Sequence, residues 1–364
     1  MTQSSFLVLF LEPVRIYLED DSVSEILING PQAIYIERKG KLEKVPAAFP
    51  SEAALKAAAV NIAKSVGRIL DDEYPRLDAR LPDGSRVHAM IPPLTRCGTV
   101  VAIRKFSKDM LTVEKLLSYG SCSESMMRLI ETMVKLHKNL IVSGATSSGK
   151  TSILNLLSGF ISPNERIILI EDASELQLRQ PHVVPCETRK PDKNGKGEVT
   201  IRDLIHSALR LRPDRLVIGE IRGAEALDLL QAMNTGHSGS MSTIHANSPL
   251  DALYRLETCS LFSGLDIPIS ALRSQIASAV NGVVHTARLP DGSRKIVAVS
   301  EVLPLQNGEY RVQTLMQWKT HAMEADGRIS GNFEKTSAIP SFKDEAEKSA
   351  CRWNSCFFII ATEI

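Results

Sequence analysis

A loop of small residues between an apolar run and a helical pattern could bind phosphate. Residues 144–151 read Gly-Ala-Thr-Ser-Ser-Gly-Lys-Thr, the pattern G-x-x-x-x-G-K-[ST], and follow the apolar run 140–142. The glycines let backbone N–H groups converge on phosphate oxygens, while Lys150 offers a cation and Thr151 a hydroxyl ligand for Mg²⁺. The pattern predicts a nucleoside triphosphate site. Its residues are Gly144, Ala145, Thr146, Ser147, Ser148, Gly149, Lys150, Thr151 and Ser152.

A carboxylate at the end of a second apolar run could act as a base. Residues 216–220 read Leu-Val-Ile-Gly-Glu, which places Glu220 at the carboxyl end of a predicted strand. Catalytic groups of open α/β sheets collect at such ends. Glu220 is therefore the candidate general base for the water that attacks the γ-phosphate. Gly219 stands where such strands commonly carry Asp. The alternative is that Glu220 caps a helix starting near Gly223.

Two further carboxylates follow the strand predicted over residues 166–170. Glu171 and Glu175 could bind the metal through water or position the nucleophile. Glu171 therefore joins Lys150 and Glu220 as a predicted catalytic residue, and Thr151, Glu171 and Glu175 are the predicted magnesium ligands. The alternative is a helix that starts at Ser174 and Glu175.

Two histidines lie in a stretch of glycines and small hydroxyl residues. His237 and His245 are predicted to sense the γ-phosphate and to couple its loss to movement. Zinc binding is an alternative, but the spacing of the two histidines matches no standard zinc pattern. A purely structural role is the other alternative for each.

Composition limits the class of protein. With 364 residues the chain is long enough for two or three domains, and its 43% apolar share is ordinary for a globular protein. The net charge is +1, without the excess of basic residues that nucleic-acid-binding domains usually carry, so no nucleic-acid partner is expected. The 6 cysteines form no C-x-x-C pair, which predicts reduced cytosolic thiols. No apolar run is long enough to cross a bilayer, so any membrane contact should be peripheral.

The order of patterns predicts two domains. Residues 1–106 alternate strand-like stretches with one helix over 51–66, which indicates a small α+β domain. Residues 107–120 are the predicted linker, and 121–342 alternate strands and helices as a mostly parallel α/β sheet does. The string Leu-Pro-Asp-Gly-Ser occurs at 81–85 and at 289–293, predicting the same turn twice.

Together the four groups resemble the secretion ATPase family of type II and type IV secretion systems and type IV pili. Members carry a phosphate loop, an acidic box, a modified Walker B strand and a histidine box in this order. Residues 21–31, 35–41 and 76–86 look like the first domain of the branch that assembles Flp (tight adherence) pili, with conjugative ATPases next. The resemblance spans Glu12 to Phe342. It implies an α/β fold with a C-terminal RecA-like P-loop NTPase domain after a smaller α+β domain.

The resemblance also implies an assembly and a cellular role. It implies a cytoplasmic homo-hexamer, peripheral at the inner membrane, which hydrolyses ATP with Mg²⁺ and works on a membrane platform protein in pilus assembly or secretion. The family's nucleotide-contacting arginines match Arg86, Arg104 and Arg222. The alternatives are a conjugative type IV secretion ATPase, a nucleic-acid translocase and a non-catalytic ring subunit.

The end of the chain departs from the family. After Phe342 the residues 343–364 no longer resemble the family's final helical segment. A truncated or frameshifted gene would produce such a tail. Its apolar residues 357–360 could form an edge strand and impair ring assembly.

Overall fold

The computed structural model describes residues 10–38, 40–81, 83–105, 111–191 and 195–349. They group into two compact units, one within residues 1–110 and one within 111–364, a division that falls inside the predicted linker. Within these described ranges, no helix combines the length and the apolar character needed to cross a bilayer.

The first unit is a six-stranded antiparallel sheet with one long helix. Its elements are a 3₁₀ turn Glu12–Val14, α1 (Arg15–Glu19), β1 (Val23–Asn29), β2 (Ile34–Arg38), β3 (Lys41–Val45), α2 (Glu52–Ser65), β4 (Arg76–Arg80), β5 (Arg86–Met90) and β6 (Val100–Arg104). The strand order is β3-β2-β1-β6-β5-β4. Helix α2 starts where the Ser51 hydroxyl accepts a hydrogen bond from Ala54 N at 3.1 Å, an ordinary N-cap. The predicted helix over 51–66 is confirmed.

The second unit carries most of the chain. Its elements are α3 (Val113–Ser118), α4 (Glu124–Lys135), β7 (Leu140–Gly144), α5 (Lys150–Ser158), β8 (Ile167–Glu171), β9 (Val183–Glu187), α6 (Ile201–Ala208), β10 (Arg215–Ile221), α7 (Glu225–Asn234), β11 (Met241–His245), α8 (Pro249–Leu261), α9 (Ile269–Ala279), β12 (Gly282–Arg288), β13 (Arg294–Gln306), β14 (Glu309–Met323), β15 (Ile329–Lys335) and α10 (Lys343–Lys348).

These strands form one mixed sheet of nine strands in the order β15-β14-β13-β12-β7-β11-β10-β8-β9. The pairs from β12 to β9 are parallel, and β13, β14 and β15 add antiparallel pairs at one edge. Strand β7, which leads into the predicted phosphate loop, lies between β11 and β12. The predicted α/β class, with a mostly parallel sheet after a smaller α+β unit, is confirmed.

The sheet is buried on both faces, which explains its continuous apolar runs. Leu140 and Val142 of β7 contribute to a core with α4 and α5, while Ile141 between them contributes to a core with the helices α6 to α9. Successive side chains of a strand point to opposite faces, so a strand covered on both faces must be apolar at every position.

Both Leu-Pro-Asp-Gly-Ser strings form hairpin turns. One joins β4 to β5 and the other joins β12 to β13, and the glycines take positive φ angles of 91° at Gly84 and 85° at Gly292. A side chain at either position would be strained, which is why glycine occupies both. The repeated turn predicted from the sequence is confirmed.

A buried arginine at the start of β10 connects several segments at the edge of the sheet opposite the phosphate loop. Arg215, which is 1% exposed, donates to the carboxylate of Glu165, to Gly239 O at 3.1 Å and to Val134 O at 3.0 Å. A guanidinium can be buried this deeply only because its N–H groups are paired with hydrogen-bond acceptors. Gly239 lets the guanidinium approach, because a Cβ there would lie 1.7 Å from Arg215 Nη1.

We therefore expect Gly239→Ala to destabilise the chain by about 3 kcal/mol, because the methyl group must displace a buried guanidinium from its partners. Gly236→Ala is the matched control, since Gly236 also has a positive φ, of 102°, but a Cβ added there would have nothing within 4 Å. Gly236→Ala should lower the free energy of unfolding by only about 1 kcal/mol, which is the cost of placing a residue with a Cβ in the left-handed conformation. Urea unfolding followed by circular dichroism measures both changes, and equal losses would contradict the role given to Arg215.

The first part of the atypical tail folds onto the second unit. Phe342 is 4% exposed, Ala346 of α10 is fully buried, and Lys138 Nζ lies 2.6 Å from Glu345 Oε2. The buried carboxylate of Glu301 accepts from Ser341 N at 3.1 Å and so anchors the entry to this helix. Phe342 and Ala346 are therefore part of a core of this unit, while the other residues of α10 lie at its surface. The strand predicted over 357–360 lies outside the described residues.

Candidate nucleotide-binding site

Four neighbouring strands end at one edge of the sheet and present the predicted site. Strands β7, β11, β10 and β8 are adjacent and parallel, so that Gly144, His245, Glu220 and Glu171 all come to the same edge. Gly144 and His245 are direct register partners. The carboxyl edge of a parallel sheet is where such folds bind ligands.

The phosphate loop itself is tightly built. Ser147 and Gly149 take left-handed conformations, with φ of 61° and 98°, and alternation of this kind turns successive N–H groups inward to make a concavity for an anion. Gly144 must be glycine, because a Cβ there would lie 2.3 Å from Thr286 O. Helix α5 begins at Lys150 and directs its positive end at the same place.

Lys150 lies at the centre of the site and is only 7% exposed. Its Nζ donates to Ala145 O at 3.0 Å and to His245 Nδ1 at 3.2 Å. Burial lowers the pKa of Lys150, while the carboxylate of Glu220 raises it. An ammonium has three donors. These two contacts therefore leave one donor for a phosphate oxygen.

His245 links Lys150 to the candidate base. Because an ammonium can only donate, Nδ1 of His245 accepts and the proton of the neutral ring lies on Nε2. This Nε2 is 2.7 Å from Glu220 Oε1, although the alignment is too poor for a hydrogen bond. Burial, followed by the charge of Lys150, lowers the pKa of His245. The imidazole is therefore held neutral between a cation and a carboxylate.

The two oxygens of Glu220 have different surroundings. Arg222 Nε donates to Oε2 at 2.8 Å and fixes the carboxylate. Oε1 is buried and accepts no hydrogen bond from the described residues. A buried carboxylate oxygen without a donor is costly unless a ligand or water supplies one. Glu220 is thus held by Arg222 at one oxygen, while its other oxygen faces His245 and receives no hydrogen bond from the described residues.

The first predicted acidic residue after β8, Glu171, holds the loop that follows it. Glu171 is 3% exposed, and its Oε1 accepts from the backbone N–H groups of Glu175 at 2.7 Å and Leu176 at 2.9 Å. No helix starts at Ser174, so the structural alternative from the sequence is wrong in that form. Gly219 lies beside Glu171, and a Cβ there would come 3.2 Å from Glu171 Cγ, so a side chain at this position would crowd Glu171. Metal binding by Glu171 and Glu175 remains a prediction.

His237 is not brought to the phosphate loop. It precedes β11, whereas His245 ends that strand, and a strand of five residues spans roughly 15 Å. The two histidines are therefore at opposite edges of the sheet, which does not support a sensor role for His237 and prevents a shared zinc ion. Among the described residues, no group of three or more His, Cys, Asp or Glu side chains could hold a metal by itself.

The predicted arginines fall in two places. Arg222 belongs to the site through Glu220, and its Nη1 also lies 3.8 Å from Asp172. Arg86 and Arg104 are register partners on β5 and β6 of the first unit, and Arg104 lies 3.7 Å from Glu25. Their contact with nucleotide remains a prediction.

Two residues on either side of the second Leu-Pro-Asp-Gly-Ser turn also contact the loop, and sequence reasoning missed both. Arg294 Nε donates to Ser147 O at 2.9 Å, and Thr286 Oγ1 lies 2.8 Å from Ser148 Oγ. The repeated string was a usable signal for Arg294, because the arginine that follows its first copy is the predicted contact Arg86. Only the pairing of β12 with β7 shows that Thr286 is near.

Acid should destabilise this region through His285 on β12, which is 7% exposed. Burial lowers the pKa of His285, as does Lys150, while an Asn247 hydrogen bond and Asp251 raise it. The unfolded chain therefore binds the proton first as the pH falls below about 6.5, and stability is lost in that window. We expect the melting temperature to fall more between about pH 7.5 and 5.5 in the parent than in His285→Gln, because glutamine does not titrate. Equal pH dependence in calorimetry would contradict this assignment.

Comparisons with known proteins identify the family and support the fold. The sequence profile described as type II/IV secretion system protein matches residues 11–330. A putative conjugal transfer protein of Mycobacterium tuberculosis is 37% identical over 314 residues, which cover 85% of this chain and 87% of the relative. The type IV secretion system protein VirB11 of Bartonella quintana is 30% identical, covering 79% and 91% of the two chains. The ATPase DotB of Legionella pneumophila has a similar fold, with a TM-score of 0.56, 20% identity and coverage of 83% and 81%.

Proposed function

Because the chain belongs to the type II/IV secretion system protein family, we propose that it is an oligomeric ATPase that powers a type IV secretion or conjugal transfer machine. One observation carries the proposal. Lys150, His245 and Glu220 are connected by contacts of 3.2 Å and 2.7 Å beside a loop that is shaped for phosphate. A cation beside the phosphates and a carboxylate that can orient the attacking water are groups that hydrolysis of a phosphoanhydride uses.

The loop residues account for nucleotide binding. The inward N–H groups of residues 144–151 and the start of α5 bind the β-phosphate, and the remaining donor of Lys150 contacts the γ-phosphate. Thr151 lies half-buried in the first turn of α5, where its hydroxyl would hold Mg²⁺ together with phosphate oxygens. When bound, Mg²⁺ neutralises charge that develops on the phosphates.

The acidic and basic groups account for hydrolysis. The carboxylate of Glu220 orients a water on the γ-phosphate and takes its proton, while Arg222 holds its Oε2. Neutral His245 lies between Glu220 and Lys150, and its ring is close enough to respond when the γ-phosphate leaves. Arg86 and Arg104, which match the family's nucleotide-contacting arginines by position, would stabilise charge in the transition state.

The named relatives favour one biological role over another. They are a conjugal transfer protein and a type IV secretion protein, which agrees with the conjugative alternative. The Flp pilus role expected from the amino-terminal segments is not confirmed by them. We therefore place the proposed motor at the membrane platform of a secretion or conjugation apparatus, as a hexamer with peripheral membrane contact.

The test is ATP turnover by the purified full chain, with light scattering in the presence and absence of nucleotide. We expect hydrolysis that requires Mg²⁺ and a particle of about six chains that nucleotide stabilises. Nucleotide binding without turnover would instead indicate a non-catalytic ring subunit. Strong stimulation by single-stranded DNA would indicate a nucleic-acid translocase.

A further inference from the structure

An arginine from a distant strand contacts the phosphate loop. Arg294 is the first residue of β13, and its Nε donates a hydrogen bond to Ser147 O at 2.9 Å. Its aliphatic stem lies beside Gly149, because a Cβ built on this glycine would be 3.7 Å from Arg294 Cδ. The arginine therefore contacts the backbone of the loop at the two residues that take left-handed conformations.

Ser147 has a backbone conformation that needs support. Its φ is 61°, in the left-handed region that residues with a Cβ rarely adopt. Ser147 is also exposed, so packing does not hold it in this conformation. A conformation of this kind persists where neighbouring contacts fix it. The hydrogen bond that Arg294 donates to the carbonyl of Ser147 is such a contact.

The backbone that carries Arg294 is itself well fixed. The next residue, Lys295, is 9% exposed, and its Nζ donates to Gly120 O at 2.8 Å. Ile296 is 1% exposed, and its N–H donates to Ser121 O at 2.8 Å. The guanidinium of Arg294 thus extends from a strand that is held to the segment 120–121, and a fixed strand can hold a loop in place.

The preceding strand contacts the neighbouring loop residue. Thr286 of β12 has its Oγ1 2.8 Å from Ser148 Oγ, and Ser148 is only 2% exposed. The hairpin of β12 and β13 therefore holds Ser148 through Thr286 and Ser147 through Arg294. Since Ser148 is buried and Ser147 is exposed, the contact from Arg294 is the one on which the exposed end of the loop depends.

We propose that Arg294 is a positioning residue, which holds Ser147 in its left-handed conformation and so keeps the phosphate loop in its anion-binding shape before nucleotide enters. The proposal rests on the nucleotide-binding function proposed above. A nucleotide that binds only the formed loop has its affinity reduced by the fraction of chains in which the loop is formed. Loss of the contact should therefore slow association and leave dissociation unchanged.

Two variants of equal charge isolate the hydrogen bond in the full chain. Arg294→Gln can place its amide nitrogen where Nε stands and keep the donor to Ser147 O. Arg294→Met has a side chain of similar length up to that atom and loses the donor. Both variants lack the cation, so any general attraction of the arginine for ATP is lost equally. Ser147→Gly, added to each variant, removes the backbone strain, because glycine adopts positive φ freely.

Stopped-flow binding of a fluorescent ATP analogue gives the association and dissociation rates, and hydrogen exchange of residues 145–153 without nucleotide reports the state of the loop. We expect association to be about fivefold slower in Arg294→Met than in Arg294→Gln, with dissociation rates within about a factor of two. Exchange should be faster in the Met variant. With Ser147→Gly present, the difference in association should fall below about twofold.

Three results would overturn the proposal. The first is equal association and equal exchange in Arg294→Met and Arg294→Gln. The second is faster dissociation in Arg294→Met, which would show that Arg294 contacts the bound nucleotide directly. The third is a difference between the two variants that persists in full when Ser147→Gly is present, since the strain at Ser147 would then have no part in it.

Neither measurement needs turnover, which separates this proposal from the ATPase function. A parent chain that binds nucleotide without hydrolysis would refute the ATPase function and leave the comparison of Arg294→Met with Arg294→Gln decisive. Equal behaviour of the two variants in a chain that hydrolyses ATP would refute the role of Arg294 alone. A parent chain that binds no nucleotide would refute both.

Discussion

Glu220→Gln is expected to lower kcat for ATP by about three orders of magnitude while nucleotide affinity changes little. Glutamine keeps the size of the side chain and can still contact Arg222, which holds Glu220 Oε2 at 2.8 Å. It cannot take a proton from water. The loss should therefore fall on the chemical step and leave ground-state binding intact.

Steady-state turnover measures kcat, and binding of a fluorescent ATP analogue measures the nucleotide affinity. Glu131→Gln is the matched control, because it makes the same change at a carboxylate on α4 that pairs with Lys135 and is distant in sequence from the site. The control should behave as the parent does. If Glu220→Gln kept more than about a tenth of the parent kcat, Glu220 would not be the general base.

Lys150→Ala is expected to weaken nucleotide binding roughly a hundredfold, which corresponds to about 2–3 kcal/mol for lost charge-assisted hydrogen bonds to phosphate. Turnover should become undetectable, because the same cation offsets charge in the transition state. Removal of Lys150 also takes away the donor to His245 Nδ1, at 3.2 Å. The variant therefore loses both the anion contact and the link towards Glu220.

The control for this variant is Lys135→Ala, which removes a lysine that pairs with Glu131 one helical turn away on α4. Calorimetric titration with ATP and Mg²⁺ would report the affinities directly. Comparable affinity in Lys150→Ala and Lys135→Ala would contradict the role of the loop as the nucleotide site. Together, Lys150→Ala and Glu220→Gln separate loss of binding from loss of chemistry.

Local sequence patterns predicted the elements well because their causes are local. Strand β7 is apolar at successive positions since both faces of the sheet are covered, and α2 starts at a serine that caps it. The glycine turns at 84 and 292 follow from a backbone conformation that only glycine adopts easily. Local patterns likewise placed Lys150 at the start of a helix and Glu220 near the end of a strand.

The sequence was less informative where a residue's role depends on contacts that are distant along the chain. His237 and His245 share one flexible-looking stretch in the sequence, yet β11 separates them and takes only His245 to the phosphate loop. The residues after Phe342 depart from the family pattern in sequence, and the structure shows that α10 nonetheless buries Ala346 and pairs with Lys138. Amphipathic spacing alone does not show which surface a short helix covers.

By itself, the sequence determined the α/β class, the phosphate loop, the candidate base and the family, because each depends on a contiguous pattern or on motifs in a fixed order. Only the tertiary structure decided which distant residues complete the site. Arg294, Thr286 and His285 reach the loop because β12 pairs with β7 across more than a hundred residues of chain. Long-range pairing of this kind depends on how the whole sheet assembles and leaves no local pattern to read.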